Sequence, residues 1–277
     1  MKELTFAEKA DRSIFKKYRR TIWRPFIEGL KSYDLIKEND SIAVCISGGK
    51  DSMMLAKLMQ ALLRQTNIPF TLHFLVMNPG YNAINLQKII SNAERLEIPI
   101  KIFDSDIFRI VENTDRSPCY LCARMRRGFL YSKAKELGCN KIALGHHKSD
   151  VVETTLMGML YGAQYQVMMP KLKSKNFEGM ELIRPMYCVS EEDILKWQKY
   201  NELTFIGCAC PLSENCNMYD AAGGGSKRQE VKHLLKKLKE NNKDVEKSVF
   251  NSLQMVNLDT VISYKLKGEV YNFLDEY

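Results

Sequence analysis

The 277-residue sequence predicts an α/β protein with a Rossmann-like, doubly wound parallel sheet, an N-terminal helix and a C-terminal helical extension. Short apolar runs such as 41–46 indicate buried strands. They alternate with segments such as 52–65, in which apolar residues recur at helical spacing. Because strands that alternate with helices pair in parallel, helices should cover both faces of the sheet.

The first predicted element is an amphipathic helix over 5–32, which Pro25 should kink or split because proline lacks an amide hydrogen. The strands that follow are predicted at 41–46, 70–77, 99–103 and 141–145. The helices are predicted at 52–65, 82–96, 105–112, 120–137 and 148–161, and then near 190–200, 226–240 and 244–256. The glycines at 223–225 predict a flexible connection. We therefore expect three regions: the N-terminal helix at 1–34, an α/β domain at 35–187 and a helical region at 188–277.

The composition is that of a globular protein, with 45% hydrophobic and 27% charged residues. No apolar run approaches the about 20 residues that a membrane span needs. We expect a cytoplasmic protein with no membrane partner, whose eight cysteines serve metal or redox chemistry rather than disulfides. The net charge of +8 gathers in four clusters, at 12–24, 116–141, 171–175 and 227–247. Each alone suits a solvated helix face, but together they favour a nucleic-acid partner.

The most informative motif is Ser47-Gly48-Gly49-Lys50-Asp51-Ser52, which lies between a predicted strand and a predicted helix. Glycines let backbone amides approach an anion, and the helix N-terminus, the lysine and the serine hydroxyls all favour phosphate. The spacing differs from that of the P-loop. All six positions match the PP-loop signature Ser-Gly-Gly-x-Asp-Ser of ATP pyrophosphatases, although a plain strand-to-helix glycine turn is the simpler alternative.

A second motif, Cys119-Tyr120-Leu121-Cys122, opens a predicted basic helix that carries Arg124, Arg126 and Arg127. The positive end of a helix favours thiolate, the form that binds metal or acts as a nucleophile. Taken alone, two such cysteines suit a redox pair, half a zinc site or half a cluster site. Further thiols that could complete a metal site follow at Cys208, Cys210 and Cys216, whereas Cys45, Cys139 and Cys188 lie in apolar patterns typical of core residues.

A third motif, Gly145-His146-His147-Lys148-Ser149-Asp150, lies where a predicted strand passes into a helix. Either histidine could contact a nucleotide or substrate. Asp150 could act as a base or hold magnesium, and its alternative is a plain negative charge at a helix N-terminus.

Together these motifs resemble the tRNA 2-thiocytidine synthetase (TtcA) family of PP-loop tRNA thiolases. The segments 169–172, 183–185 and 228–229 also fit, so the resemblance runs from about residue 35 to 257. It implies ATP with Mg2+, an oxygen-sensitive 4Fe-4S cluster and a tRNA substrate. Adenylation would activate the 2-oxo group of a pyrimidine, with cytidine favoured, and sulfur would replace it. Cysteine desulfurase or sulfide would be the sulfur donor, and a homodimer is left open.

The resemblance also implies roles for residues of this chain. Expected catalytic residues are Lys50, Asp51, Arg126 and Asp150. Expected nucleotide contacts are Ser47, Gly48, Gly49, Lys50, Asp51, Ser52, Gly145 and His146. Expected cluster ligands are Cys119, Cys122 and Cys210, with Cys208 and then Cys216 as alternatives to the last.

The sequence departs from the family pattern at two places. Ser149 stands where the family has the first of two aspartates, and the distal cysteines are spaced C-x-C rather than C-x2-C. Cys210-Pro211 instead matches the related 2-thiouridine enzymes. Two other functions stay open: a PP-loop ligase that activates another acceptor without sulfur, and an RNA-binding module stabilised by zinc.

Overall fold

The computed structural model describes residues 3–112, 118–207 and 227–275, together with residue 277. A six-stranded sheet has the order β3-β2-β1-β4-β6-β5. Neighbouring strands of this sheet pair in parallel, except that β5 pairs with β6 in the antiparallel direction. This topology confirms the predicted α/β class with a mostly parallel sheet. The strands are Ser41–Ile46 (β1), Thr71–Asn78 (β2), Ile100–Asp104 (β3), Lys141–Ala143 (β4), Lys171–Lys173 (β5) and Glu181–Ile183 (β6).

Helices cover both faces of the sheet, as alternate residues of β1 show. Ile42 and Val44 belong to one buried cluster, and Ala43 and Cys45 belong to another. Successive side chains of a strand point to opposite faces, so the sheet separates two cores. The helices are Phe6–Phe15 (α1), Arg24–Ser32 (α2), Lys50–Gln65 (α3), Ala83–Arg95 (α4), Ile107–Glu112 (α5), Pro118–Glu136 (α6), Lys148–Gly162 (α7), Glu191–Tyr200 (α8), Lys227–Asn241 (α9) and Val245–Ser252 (α10).

The predicted N-terminal helix is interrupted, but not at Pro25. The interruption lies between α1 and α2, where Arg19–Trp23 form a π-helical turn. Pro25 lies in the first turn of α2. Proline is tolerated there because an amide hydrogen in the first turn has no partner within the helix.

The C-terminal part differs from the prediction in three ways. The short strands β5 and β6 lie in a segment for which no strand was predicted. The helix expected at 244–256 ends at Ser252, after which a 3-10 turn spans Leu258–Thr260. Ser263–Leu266 (β7) and Glu269–Asn272 (β8) then form an unpredicted antiparallel hairpin. The predicted glycine connection at 223–225 lies outside the described residues.

The chain divides into two compact units. One comprises Met1–Val151 and Met168–Ser226, and the other comprises Val152–Val167 and Lys227–Tyr277. The N-terminal helices and α8 thus belong to the same unit as the sheet. The sequence-based division placed them in separate regions, with boundaries at 34 and 187. That division into functional regions stays a prediction. Among the described helices, none combines the length and apolar character required to cross a membrane.

Candidate active site

The loop Ser47–Ser52 connects the end of β1 to the start of α3. Gly48 has φ +84°, and a Cβ at this position would overlap Ile89 and lie 2.8 Å from Cδ1 of Ile206. The hydroxyl of Ser52 donates to the Gly49 carbonyl at 2.9 Å and accepts from the Ser47 amide at 3.2 Å. The loop is therefore closed on itself and requires glycine at position 48.

Lys50 carries the positive charge of this loop. Its Nζ lies 3.0 Å from Oδ2 of Asp51 and 2.8 Å from Oε1 of Glu191, the first residue of α8. Burial alone would lower the pKa of Lys50, but the Asp51 and Glu191 carboxylates outweigh burial and raise it. Lys50 is therefore a fixed cation at neutral pH.

His147 links the loop to the start of α7. Its Nδ1 accepts the Asp150 amide hydrogen at 3.3 Å, and its own amide donates to the Asp150 carboxylate at 3.1 Å. Because Nδ1 is an acceptor, the neutral ring carries its proton on Nε2, which lies 3.5 Å from Oδ1 of Asp51. That Asp51 oxygen is buried and makes no hydrogen bond. His147 is thus hydrogen-bonded to Asp150 and lies 3.5 Å from Oδ1 of Asp51.

Gly145, two residues after the end of β4, lies directly against the loop. A Cβ on Gly145 would lie 3.0 Å from the Asp51 carbonyl carbon and 3.0 Å from the Ser52 amide nitrogen. Gly145 therefore allows β4 to approach the start of α3 closely. His146, the predicted nucleotide contact, is half-buried. Ser149 accepts a hydrogen bond from the Glu191 amide at 3.2 Å.

The cysteine motif lies at the start of α6, as predicted. The thiol of Cys122 is free and partly buried against Met77, at the end of β2, and Ile107. Among the side chains that the structure describes, no three are arranged to hold a metal ion. That finding does not test the predicted cluster, because Cys208, Cys210 and Cys216 lie outside the described residues and the Cys119 side chain is not described.

The remaining cysteines confirm the expectation of core positions. Cys45 and Cys139 are buried, and Cys188 is half-buried. Burial raises the pKa of Cys45 to about 12 and that of Cys188 to about 11.

Arg126 lies one helical turn after Cys122. Its guanidinium carbon lies 5.0 Å from the ring centre of Phe108, and its buried Nε has no hydrogen-bond partner. A guanidinium held on an aromatic face with an unsatisfied donor suits an anionic ligand.

Sequence reasoning missed Glu191 and ranked His146 above His147. The only signal for Glu191 is its place at a helix start after the N-cap Ser190. The signal for His147 is its position three residues before Asp150, a spacing that permits reciprocal bonds across a helix N-terminus.

Three similarities identify the family. Residues 18–210 match the PP-loop domain family. The chain is 36% identical over 242 residues to the tRNA-cytidine(32) 2-sulfurtransferase of Aliivibrio fischeri, covering 85% of this chain and 73% of that protein. It is 30% identical over 268 residues to the one from Pelobacter propionicus, covering 96% and 95%.

A solved structure supports the fold. The U34-tRNA thiolase NcsA from Methanococcus maripaludis, solved with its 4Fe-4S cluster, superposes with a TM-score of 0.64 at 22% identity, covering 88% of this chain and 81% of that one. With the sequence matches, the sheet order and the closed Ser47–Ser52 loop, the conclusion is that this chain belongs to the tRNA-cytidine(32) 2-sulfurtransferase family of PP-loop proteins.

Proposed function

We propose that this protein is an ATP-dependent tRNA thiolase that replaces the 2-oxo group of a cytidine with sulfur, at position 32 as the names of its relatives state. One observation carries the proposal. The Ser47–Ser52 loop follows β1, and Cys122 packs against the buried pair Met77 and Ile107, of which Met77 lies near the end of the neighbouring strand β2. Ligands of parallel sheets bind at the carboxyl ends of strands, so a nucleotide and a sulfur-handling site would share one edge.

The chemistry needs two displacements. The cytidine 2-oxo oxygen attacks the α-phosphorus of ATP, and the bond to the β-phosphate breaks to release pyrophosphate. Sulfide then attacks C2 and gives up its proton to a base, the C2–O bond breaks and AMP leaves with the oxygen. Adenylation is required because an unmodified carbonyl oxygen is a poor leaving group.

The loop residues suit the first displacement. Lys50 is a fixed cation, and the backbone at Gly48 and Gly49 carries no Cβ that would obstruct phosphate. The buried Asp51 oxygen without a hydrogen bond fits a Mg2+ ligand, because carboxylate oxygens are preferred by that ion. Mg2+, when bound, would neutralise charge on the leaving pyrophosphate.

Arg126 and Asp150 suit the reacting centre. We assign Arg126 to the negative charge that develops on the α-phosphate, since its buried Nε offers a free donor. We assign Asp150 as the base that takes the proton from sulfide, because His147 orients its carboxylate through the backbone bond described above.

The cysteines suit the second displacement. The partly buried Cys122 thiol at a helix start is chemically suited to ligate iron, with Cys119 and Cys210 as its proposed partners. A 4Fe-4S cluster held by three cysteines would supply one open iron that carries sulfide. Cysteine desulfurase or free sulfide would provide the sulfur.

Mass spectrometry of tRNA nucleosides, from cells with and without the gene, tests the proposal. We expect 2-thiocytidine to disappear on deletion and to return with the wild-type gene, but not with Asp51→Asn or Cys122→Ser. The matched control, Cys139→Ser at a buried core cysteine, should restore the product.

Other outcomes separate the alternatives. If a different thionucleoside disappears on deletion, the protein is still a tRNA thiolase, but the base that it modifies is not cytidine. An unchanged nucleoside profile would contradict thiolation. Full ATP-dependent activity of Cys122→Ser on another acceptor would support a PP-loop ligase instead. Purified protein that binds zinc and no ATP would support an RNA-binding module.

A further inference from the structure

Arg184 is a buried cation without a charge partner in the described part of the chain. It follows β6 directly and is only 7% exposed. Its Nη1 donates to the Met169 carbonyl, whereas its Nε is buried and has no hydrogen-bond partner. Buried guanidinium groups are normally paired with a carboxylate, because an unpaired buried charge is costly.

The neighbouring groups make the buried, unpaired charge of Arg184 even less favourable. Burial, and then the positive charge of Arg127, lower the pKa of Arg184 to about 10. Asp150 acts in the opposite direction but contributes least among the neighbouring groups. Arg184 is therefore still charged at neutral pH, beside a second arginine. An anion bound at Arg184 would give the buried Nε an acceptor and offset the repulsion from Arg127.

The position of Arg184 indicates which anion this is. In the sheet, β4 lies between β1 and β6, so the ends of β1 and β6 are separated by about 10 Å at about 4.8 Å per strand. That offset favours a ligand other than the phosphates that the loop itself would hold. Arg127 is exposed on α6, five residues after Cys122, where a large substrate has access.

We propose that Arg184 and Arg127 form a subsite for one backbone phosphodiester of the substrate RNA, next to the nucleotide that reacts. The proposal of this subsite rests on the proposed tRNA substrate. It gives Arg184, at the end of β6, a role in positioning that substrate. The planar guanidinium fork matches a phosphate in two hydrogen bonds, which a lysine cannot reproduce. Bound there, the phosphate would fix the register of the RNA strand against Asp150 and α6.

Binding of unmodified tRNA to the full-length protein, measured without ATP or a sulfur donor, tests the subsite. The dissociation constant is determined between about 50 and 200 mM salt. Arg184→Gln should bind tRNA about tenfold more weakly. The slope of log affinity against log salt should become shallower by about one, the amount expected for the loss of one phosphate contact. Lys101→Gln, an exposed lysine of β3, removes the same charge and should leave both quantities unchanged.

Equilibrium dialysis with ATP separates the two sources of phosphate. The ATP affinity of Arg184→Gln should stay within about twofold of wild type. A loss of ATP affinity with an unchanged salt slope would assign Arg184 to the nucleotide and overturn the proposal. Wild-type binding of both ligands by folded Arg184→Gln would show a purely structural arginine and would also overturn it.

Two further variants keep the test decisive if Arg184→Gln does not fold. Arg184→Lys should retain the salt slope but bind tRNA about fivefold more weakly, because it keeps the charge and loses the fork. Arg127→Gln should lower the slope. Wild-type binding by both would overturn the subsite. Thiolation by the wild-type protein is measured in parallel, so failure of the proposed function is distinguished from failure of the subsite.

Discussion

The Nζ of Lys50 lies 2.8 Å from Oε1 of Glu191, and this ion pair joins the phosphate loop to the first residue of α8. The two residues are separated by 141 positions in the sequence. Under the proposed function, the Glu191 carboxylate stands where a nucleotide phosphate would approach Lys50. Glu191 therefore competes with ATP for the cation of the loop.

Replacing Glu191 by glutamine should strengthen ATP binding without Mg2+ by about fivefold. The change removes a negative charge near the triphosphate and releases Lys50, an effect of about 1 kcal/mol for a partly exposed pair. Isothermal titration with ATP measures it. Glu192→Gln is the matched control, because the neighbouring Glu192 side chain is 66% exposed. Weaker binding by Glu191→Gln would show that Glu191 holds nucleotide or its ion rather than competing with it.

Gly48→Ala should abolish ATP binding and lower the free energy of unfolding. The positive φ costs about 1–2 kcal/mol for alanine, and the overlap with Ile89 adds to it. Gly128→Ala provides a control of opposite sign. This glycine lies within α6, and no atom outside the neighbouring helix backbone lies within 4 Å of an added Cβ, so alanine should stabilise the helix by about 0.5–1 kcal/mol. Thermal denaturation compares the two, and a stable Gly48→Ala protein that binds ATP would contradict the geometry of the loop.

Alkylation of the core cysteines should be slow and steeply pH-dependent. With the pKa of Cys188 raised to about 11, about one thiol in a thousand is thiolate at about pH 8, and that fraction rises tenfold per pH unit until the pKa. Cys45, with a pKa raised to about 12, should react more slowly still. Mass spectrometry of iodoacetamide-treated protein measures the labelling of each site, and urea-unfolded protein is the control. Rapid labelling of Cys45 in the folded protein would contradict its burial.

Ser13→Ala should lower the free energy of unfolding by about 1–3 kcal/mol, because two buried donors lose their acceptor. The Ser13 hydroxyl accepts from Nε1 of Trp197 at 3.0 Å and from Nδ2 of Asn201 at 3.2 Å, which fastens α1 to α8. Urea denaturation followed by tryptophan fluorescence measures the change. Ser91→Ala, at an exposed serine of α4, should have almost no effect. Equal stability of the two variants would show that water replaces the serine.

The parts of the site that depend on contiguous residues could be predicted from the sequence. The strand, the loop Ser47–Ser52 and α3 form one continuous segment, and the C-x2-C motif lies at the start of its helix as expected. Local spacing carries that information because the interacting groups lie within one turn of each other. Whether the predicted residues perform their assigned roles remains a prediction.

The contacts that join distant segments could not be predicted. Glu191 meets Lys50 only because the sheet brings α3 and α8 to the same edge, and no local pattern encodes that meeting. The strands β5 and β6 have three residues each, which is too short for a period of two to be recognised. The π-helical turn before Pro25 likewise depends on packing rather than on propensity.

The lysines at the two edges of the sheet affect the tendency of the folded protein to aggregate. Lys173 is exposed on the edge strand β5, and Lys101 is exposed on the opposite edge strand β3. Lys171 of β5 instead donates to the Asp34 carbonyl at 2.8 Å, which covers part of that edge. A strand from another molecule could pair with either edge only by desolvating an ammonium group, so intermolecular β-pairing and aggregation are disfavoured. At these positions, positive charge keeps folded copies of the protein from pairing edge to edge.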